Sequence, residues 1–271
     1  MNFFMNQPLQ IGILNLMHDK LRTKNELQQV LESTIQPVNL QFFYPRLHYQ
    51  NRAVPTVVKT QAKPLDLAAV AQLDAFIITG APLDQLEFGQ ITYLPELQEL
   101  FKVLKKVPQR LYLCWGAMVA LHELYRIDKQ LLPRKLFGVY PQQVLTADPL
   151  LAGLKNGFWA PHARYAEANR AQIAAHPQLE ITAVNQAGNL FLVRNRLGNE
   201  TLLFSHLEYQ ADSLEAEYQR EIAAHPERHY QQPETSLAPV FGWQRTQQIF
   251  FHNWLNLVAT TVKNNGGLIY G

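Results

Sequence analysis

Three residues of this chain have the types and placement that nucleophilic catalysis by a thiol needs. The single cysteine, Cys114, ends the apolar run Arg110–Cys114 (RLYLC) and opens the stretch Cys114–Tyr125 (CWGAMVALHELY), with Gly116 two residues on. A nucleophile between a strand and a helix sits on a sharp turn, and the helix N–H groups and dipole favour the thiolate. A small inert core cysteine fits the same place, and the full Gly-x-Cys-x-Gly elbow is incomplete because Tyr112 holds the first glycine position. His206 and Glu208 lie in FSHLEYQ, just after the apolar run Thr201–Phe204. In an extended segment, residues two apart point to one face. A carboxylate-oriented imidazole is the base that a thiol nucleophile requires. The segment Thr79–Ala81 (TGA), followed by Pro82, Leu83 and Asp84, reads either as an ordinary Gly-Pro turn or as a source of backbone N–H groups for an oxyanion.

Each of these residues needs an element to hold it. Gln10–Leu16, Val38–Tyr44, Asp74–Gly80 and Arg110–Cys114 are nearly continuous apolar runs, as in parallel strands covered on both faces. Between them, Thr23–Ser33 reads as a helix with Thr23 as N-cap and Glu26 completing a capping box. Tyr93–Val107 repeats Leu97, Leu100, Phe101 and Leu104 at helical spacing. This alternation predicts an α/β fold, a doubly wound and mostly parallel sheet of the flavodoxin-like kind. Ligands bind such sheets beyond the C-terminal strand ends, where Thr79–Asp84, Cys114 and His206 all fall. Further on, Leu136–Leu145, Leu190–Arg194 and Thr201–Ser205 read as strands, and Ala211–Ala224 and Thr246–Thr260 as helices. Residues 225–242 are Pro-rich and aperiodic, a long loop of the kind that is usually functional or mobile. With no repeat or linker, residues 1–271 read as a single domain.

Composition removes several alternatives. The 271 residues carry 24 Lys and Arg against 22 Asp and Glu, a net charge of +2, without the basic excess of a nucleic-acid protein. The longest apolar run, Leu111 to Leu121, is too short to cross a bilayer. The N-terminus MNFFMNQPLQ lacks the basic residue that precedes a secretory apolar segment. One cysteine allows no internal disulfide. A cytoplasmic protein, bound to neither membrane nor nucleic acid, is expected. His225 and His229 have helical metal-ligand spacing, but Pro226 argues against a helix and HPERH lacks the zincin glutamate, so no metal is expected. The glycines form neither a Walker loop nor a dinucleotide fingerprint.

Seven blocks in order give a resemblance. They are LNLM at 14–17, TGAPL with EF at 79–88, CW at 114–115, GVY at 138–140, APH with RYA at 160–166, HxEY at 206–209 and NWLN at 253–256. Together they resemble the homoserine O-acyltransferase family, the homoserine transsuccinylases and transacetylases, whose fold is similar to class I glutamine amidotransferases. The resemblance implies Cys114 as the nucleophile that takes the acyl group from acyl-CoA, His206 as general base and Glu208 as its orienting carboxylate. It implies an oxyanion hole at the backbone of Asp84 and Trp115, and Arg164 and Arg220 as the grip on the amino-acid carboxylate. Lys20 matches a family lysine near the acyl-donor site. The implied activity is ping-pong transfer from acetyl-CoA, a co-substrate rather than a bound cofactor, to the hydroxyl of L-serine or L-homoserine in cysteine or methionine biosynthesis.

In this family a glycine at the position of Asp84 goes with succinyl-CoA and a glutamate with acetyl-CoA. A carboxylate there repels a succinyl carboxylate, so acetyl is favoured. The departures from the family pattern gather near the acceptor. They are His18 and Asp19 after LNLM, Ala163 in place of a serine, Ser205 and Leu207 around the histidine, and Gln247 after Trp243 and Arg245. They fit L-serine, one methylene shorter than homoserine, as well as they fit drift; a methylene is worth only about 1–3 kcal/mol in discrimination. Succinyl transfer, glutamine amide hydrolysis on the same three residues and a non-catalytic binding module are the alternatives. The family is commonly dimeric, which makes a homodimer the implied partner beside the small-molecule substrates.

Overall fold

The computed structural model describes residues 7–267, so residues 1–6, part of the segment read above for a leader, lie outside the described residues. The chain runs β1 (Leu9–Leu14), α1 (Lys20–Glu32), β2 (Val38–Tyr44), α2 (Thr56–Gln61), β3 (Lys63–Pro64), α3 (Leu67–Val70), β4 (Ala75–Ile78), α4 (Leu94–Leu104), β5 (Gln109–Leu113) and α5 (Trp115–Tyr125). It continues through β6 (Lys129–Val144), β7 (Phe158–Ala168), α6 (Arg170–Ala175), β8 (Leu179–Asn185), β9 (Leu190–Asn195), β10 (Glu200–Leu203), α7 (Ser213–Ala224) and α8 (Gln244–Gly267).

All ten strands form one sheet in the order β3-β2-β1-β4-β5-β10-β9-β8-β6-β7. From β3 to β10 neighbours pair parallel, for example Ile13 with Ile77 and Leu113 with Leu203. From β10 to β7 they pair antiparallel. Alternation along β5 shows why the parallel strands are apolar throughout. Tyr112 faces a core with Leu97, Leu100, Phe101 and Trp115, while Leu111 and Leu113 face another with Leu27, Phe250 and Trp254. Helices therefore cover both faces, as in a doubly wound α/β fold. Phe250, Phe251, Trp254 and Leu255 of α8 are fully buried, each contributing about 1.5–3 kcal/mol of transfer free energy.

Several local expectations change. Helix α1 begins earlier than the capping box implied: Asp19 is its N-cap and accepts from Arg22 N, leaving Thr23 and Glu26 buried inside the helix. Asp19 is itself a strong cap. Strand β6 starts seven residues before the expected Leu136, and β7 and β8 complete an antiparallel half that apolar runs did not mark. Part of the expected loop 225–242 is tied to the sheet, where Glu234 exchanges backbone hydrogen bonds with Phe137 and Val139 across Gly138. Gly138 has φ +148°, and a Cβ there would lie 2.3 Å from the Glu234 carbonyl, so only glycine lets the segment approach.

Candidate active site

Cys114 occupies the turn between β5 and α5 with φ +48° and ψ −110°, a strained conformation for a residue with a side chain. Such strain costs about 1–3 kcal/mol and is held by its surroundings. Gly116 makes the turn possible: a Cβ at that position would sit 2.7 Å from the carbonyl oxygens of both Ile78 and Thr79. The start of α5 is thereby pressed against the end of β4. Trp115, as the first helical residue, has an N–H without an intrahelical acceptor. Cys114 is 4 % exposed, and its Sγ lies 3.8 Å from the Ala163 carbonyl oxygen.

His206 follows β10, the parallel neighbour of β5, and its backbone N–H is held by the Pro161 carbonyl at 3.0 Å. Its Nδ1 lies 2.7 Å from Glu208 Oε1, with both side chains buried. The pair meets across a turn, in which Tyr209 N donates to the His206 carbonyl, and not across the extended segment that the spacing suggested. Burial alone would lower the imidazole pKa. Glu208, then Cys114, outweigh burial and hold His206 well above its usual value. Gly80 packs between these groups; a Cβ there would lie 3.2 Å from His206 Cε1 and 3.4 Å from Cys114 Cβ. The ring of Tyr209 stacks on His206 with centroids 4.4 Å apart.

The thiol and imidazole open on a cavity of about 820 Å³ that is also lined by Asp84, Lys135, Ala163, Arg164, Glu217 and Arg220. Asp84 is buried and its carboxylate accepts from Tyr165 N; burial raises its pKa against the opposing pull of backbone N–H groups. The two expected carboxylate-binding arginines differ sharply. Arg164 is 1 % exposed, and its Nη atoms bond Glu167 at 2.5 Å, His162 Nδ1 at 2.6 Å, and the Phe204 and Leu190 carbonyls at 2.7 and 2.9 Å. Burial, then Arg164 and His206, keeps the His162 pKa well below its usual value, so His162 is neutral and accepts that bond. Arg220, half-buried on α7, borders the cavity and lies in no ion pair among the described residues. Lys20 donates to the Met17 carbonyl at 2.6 Å, and burial lowers its pKa to about 8.

Sequence reasoning missed the buried Lys135, whose Nζ bridges Glu217 at 2.7 Å and Glu221 at 2.8 Å. It also lies 3.8 Å from the centroid of the Phe137 ring. Tyr209 Oη donates to Glu217 Oε2 at 2.8 Å, linking the histidine's stacking partner to this cluster. The spacing of Lys135, Phe137 and Val139 on one strand face was the available signal, as was Glu217–Arg220–Glu221 on one face of α7. The exposed His225 ends α7, with Nδ1 3.4 Å from Glu227. No helix among the described residues is long and apolar enough to cross a membrane.

A mixed sheet whose parallel half carries a thiol on a strained strand-to-helix turn and an imidazole beyond the adjacent strand gives this α/β protein a fold like that of class I glutamine amidotransferases. Solved structures agree on the fold: a glutamine amidotransferase from Thermotoga maritima matches with TM-score 0.63 at 9% identity, covering 95% of this chain and 99% of that one. Another from Methylobacillus flagellatus matches at 0.57 and 11%, covering 94% and 93%. By sequence the chain belongs to the homoserine O-succinyltransferase family, whose profile matches residues 5–264. It is 49% identical over 266 residues to a serine O-acetyltransferase of Lacticaseibacillus casei, covering 95% of this chain and 98% of the relative. It is 50% identical over 258 residues to one of Lactobacillus acidophilus, covering 94% and 97%. A homoserine O-acetyltransferase of Desulfitobacterium hafniense is 32% identical, covering 92% and 84%.

Proposed function

We propose that this O-acyltransferase is an acetyl-CoA:L-serine O-acetyltransferase working by a ping-pong mechanism through an acyl-cysteine. The observation that carries the reading is the buried Cys114–His206–Glu208 arrangement opening on a cavity edged by the free guanidinium of Arg220. The Cys114 thiolate attacks the thioester carbonyl, the bond from that carbon to the CoA sulfur breaks, and imidazolium His206 returns a proton to the departing thiolate. The exchange of one thioester for another is nearly thermoneutral. The serine hydroxyl then attacks the acyl-Cys114 carbonyl while His206 takes its proton, and Cys114 leaves as thiolate. N–H groups of Asp84 and Trp115 stabilise the oxyanion in both halves.

Arg220, with Lys135 behind it, pairs with the serine carboxylate, and the Glu217–Glu221 pair receives its ammonium group. Arg164, with its Nη groups held inside the protein, supports the wall and the segment leading to His206. The buried Asp84 carboxylate disfavours a succinyl group. Names of the more similar relatives support serine as acceptor, while the family's own name and the more distant relatives support homoserine as the second reading. The whole chain acts as one cytoplasmic acyltransferase domain in amino-acid biosynthesis.

The test is thiol release from acetyl-CoA and succinyl-CoA, each with L-serine and L-homoserine. Fast release with acetyl-CoA and serine is expected. Release with homoserine alone moves the acceptor to the second reading, and ammonia from glutamine without thiol release from either donor sinks the transferase reading.

A further inference from the structure

A second cavity of about 790 Å³ lies beside the first and shares Met17, His18, Asp19, Pro82 and Arg220 with it. Met17 brings the junction to the thiol: its Sδ lies 3.4 Å from the Cβ position of Gly80, which is itself 3.4 Å from Cys114 Cβ. Each cavity has the size that takes a large organic ligand, roughly 300–1,000 Å³. A small hydroxy amino acid fills only part of a cavity of that size.

Its lining is mainly apolar, with Leu83, Ile91 and Tyr93 among its residues, and its rim is cationic. Arg52 donates from Nε to the His48 carbonyl at 3.1 Å, contacts the His48 ring, and lies over Tyr49 with its guanidinium 5.2 Å from the ring centroid. Lys20 stands close enough to His48 that, after burial and Arg52, its charge helps push the imidazole pKa down to about 4. Neither Lys20 nor Arg52 is ion-paired among the described residues. The one carboxylate on the lining, Asp19, is engaged as the cap of α1. Like charges gathered without a counter-ion are unfavourable unless an anion joins them.

We infer that this groove holds the donor: the pantetheine arm of the acyl-CoA runs along Tyr93 and Leu83 towards Cys114, and its phosphates dock on Arg52 and Lys20 at the rim. The inference rests on the CoA-dependent reading above. An elongated ligand with an apolar stem and an anionic head matches an apolar groove with a cationic end, and a guanidinium suits phosphate oxygens.

The experiment compares acetyl-CoA with acetyl-pantetheine, which lacks the phosphoadenosine head, in the wild-type protein and in Arg52→Glu and Arg52→Lys. Arg52 is exposed and outside the Cys114 machinery, so the fold survives both changes. Arg52→Glu is expected to raise the KM for acetyl-CoA by about tenfold or more, leaving the acceptor KM and all acetyl-pantetheine kinetics unchanged, with Arg52→Lys largely restoring it. A wild-type protein that transfers the acyl group but whose acetyl-CoA KM ignores Arg52→Glu overturns the groove alone. So does an equal change with both donors. A wild-type protein that accepts acetyl from neither thioester overturns the CoA-dependent reading itself.

Discussion

The parallel and antiparallel halves of the sheet contribute to the site in different ways. The parallel half places chemistry with its backbone: Cys114 and His206 sit beyond the C-terminal ends of β5 and β10, neighbours in register. Gly116 and Gly80 let the neighbouring backbone and side chains approach more closely than a Cβ would allow. The antiparallel half supplies a wall of side chains and their partners, with Lys135 on β6, Ala163 and Arg164 on β7, and α7 packed over them. Backbone placement fixes a reaction type, whereas side chains on a wall are replaced one at a time. Of the departures from the family pattern, Ala163 lies on that wall, whereas Gln247 stands apart on α8, its amide donating to the Leu207 and Tyr209 carbonyls.

Substitutions at the two halves therefore differ in kind as well as size. Cys114→Ala removes the nucleophile of the proposed route; turnover is expected to fall at least about 10⁴-fold with no acyl-enzyme by mass spectrometry, while circular dichroism is unchanged. Appreciable turnover in that variant would reject the covalent route. Glu208→Gln comes next. The imidazole loses the charge that holds it protonated and oriented, and kcat is expected to fall by about 10²–10⁴ in stopped-flow acylation, with little change in either KM.

On the wall, Lys135→Met leaves two half-buried carboxylates without their cation, and about 1–3 kcal/mol of stability is lost together with a rise in acceptor KM. Its pH dependence is defined. Burial alone would raise the Glu217 pKa, but Lys135 lowers it below 4.5, so the pair's stabilisation is present above 4.5 and disappears as pH falls through the folded value. Lys135 is raised above 10.5, because Glu217 and Glu221 outweigh its burial, so the alkaline loss comes only as pH passes that higher value. The gap between the melting temperatures of wild type and variant should thus hold from about pH 5 to 9 and shrink in acid; a gap independent of pH would show that the ion pair is not its source. The smallest effect is expected at Ala163→Ser, a few-fold shift in kcat/KM between serine and homoserine with total activity kept. A larger loss of both would place Ala163 in the machinery of β5 and β10.

The parallel half was also the more legible half. Its strands lie inside two cores, so apolar runs marked β1, β2, β4 and β5 to within about two residues. Cys114 stood out because the end of a buried strand met the start of a buried helix. Strand β7, read along FWAPHARYAEA, mixes charged and small residues that find partners only across the sheet, so its strand pattern did not show. Arg164 and Arg220 looked equivalent as isolated arginines. Their difference arises from Glu167, His162 and the carbonyls of Phe204 and Leu190 around the first, and from open cavity beside the second.

Local order along the chain determined the alternating α/β plan, the strand-to-helix turn at Cys114 and the proximity of His206 to Glu208, because each depends on burial periodicity or on neighbours in sequence. Tertiary structure alone decided that His206 and Cys114 meet beside Gly80, that Lys135 is buried between Glu217 and Glu221, and that Lys20 and Arg52 line one cavity. Those depend on charges and carbonyls brought together from segments far apart in the chain, and whether a charged side chain is satisfied within the protein or left free for a ligand is settled only when they meet.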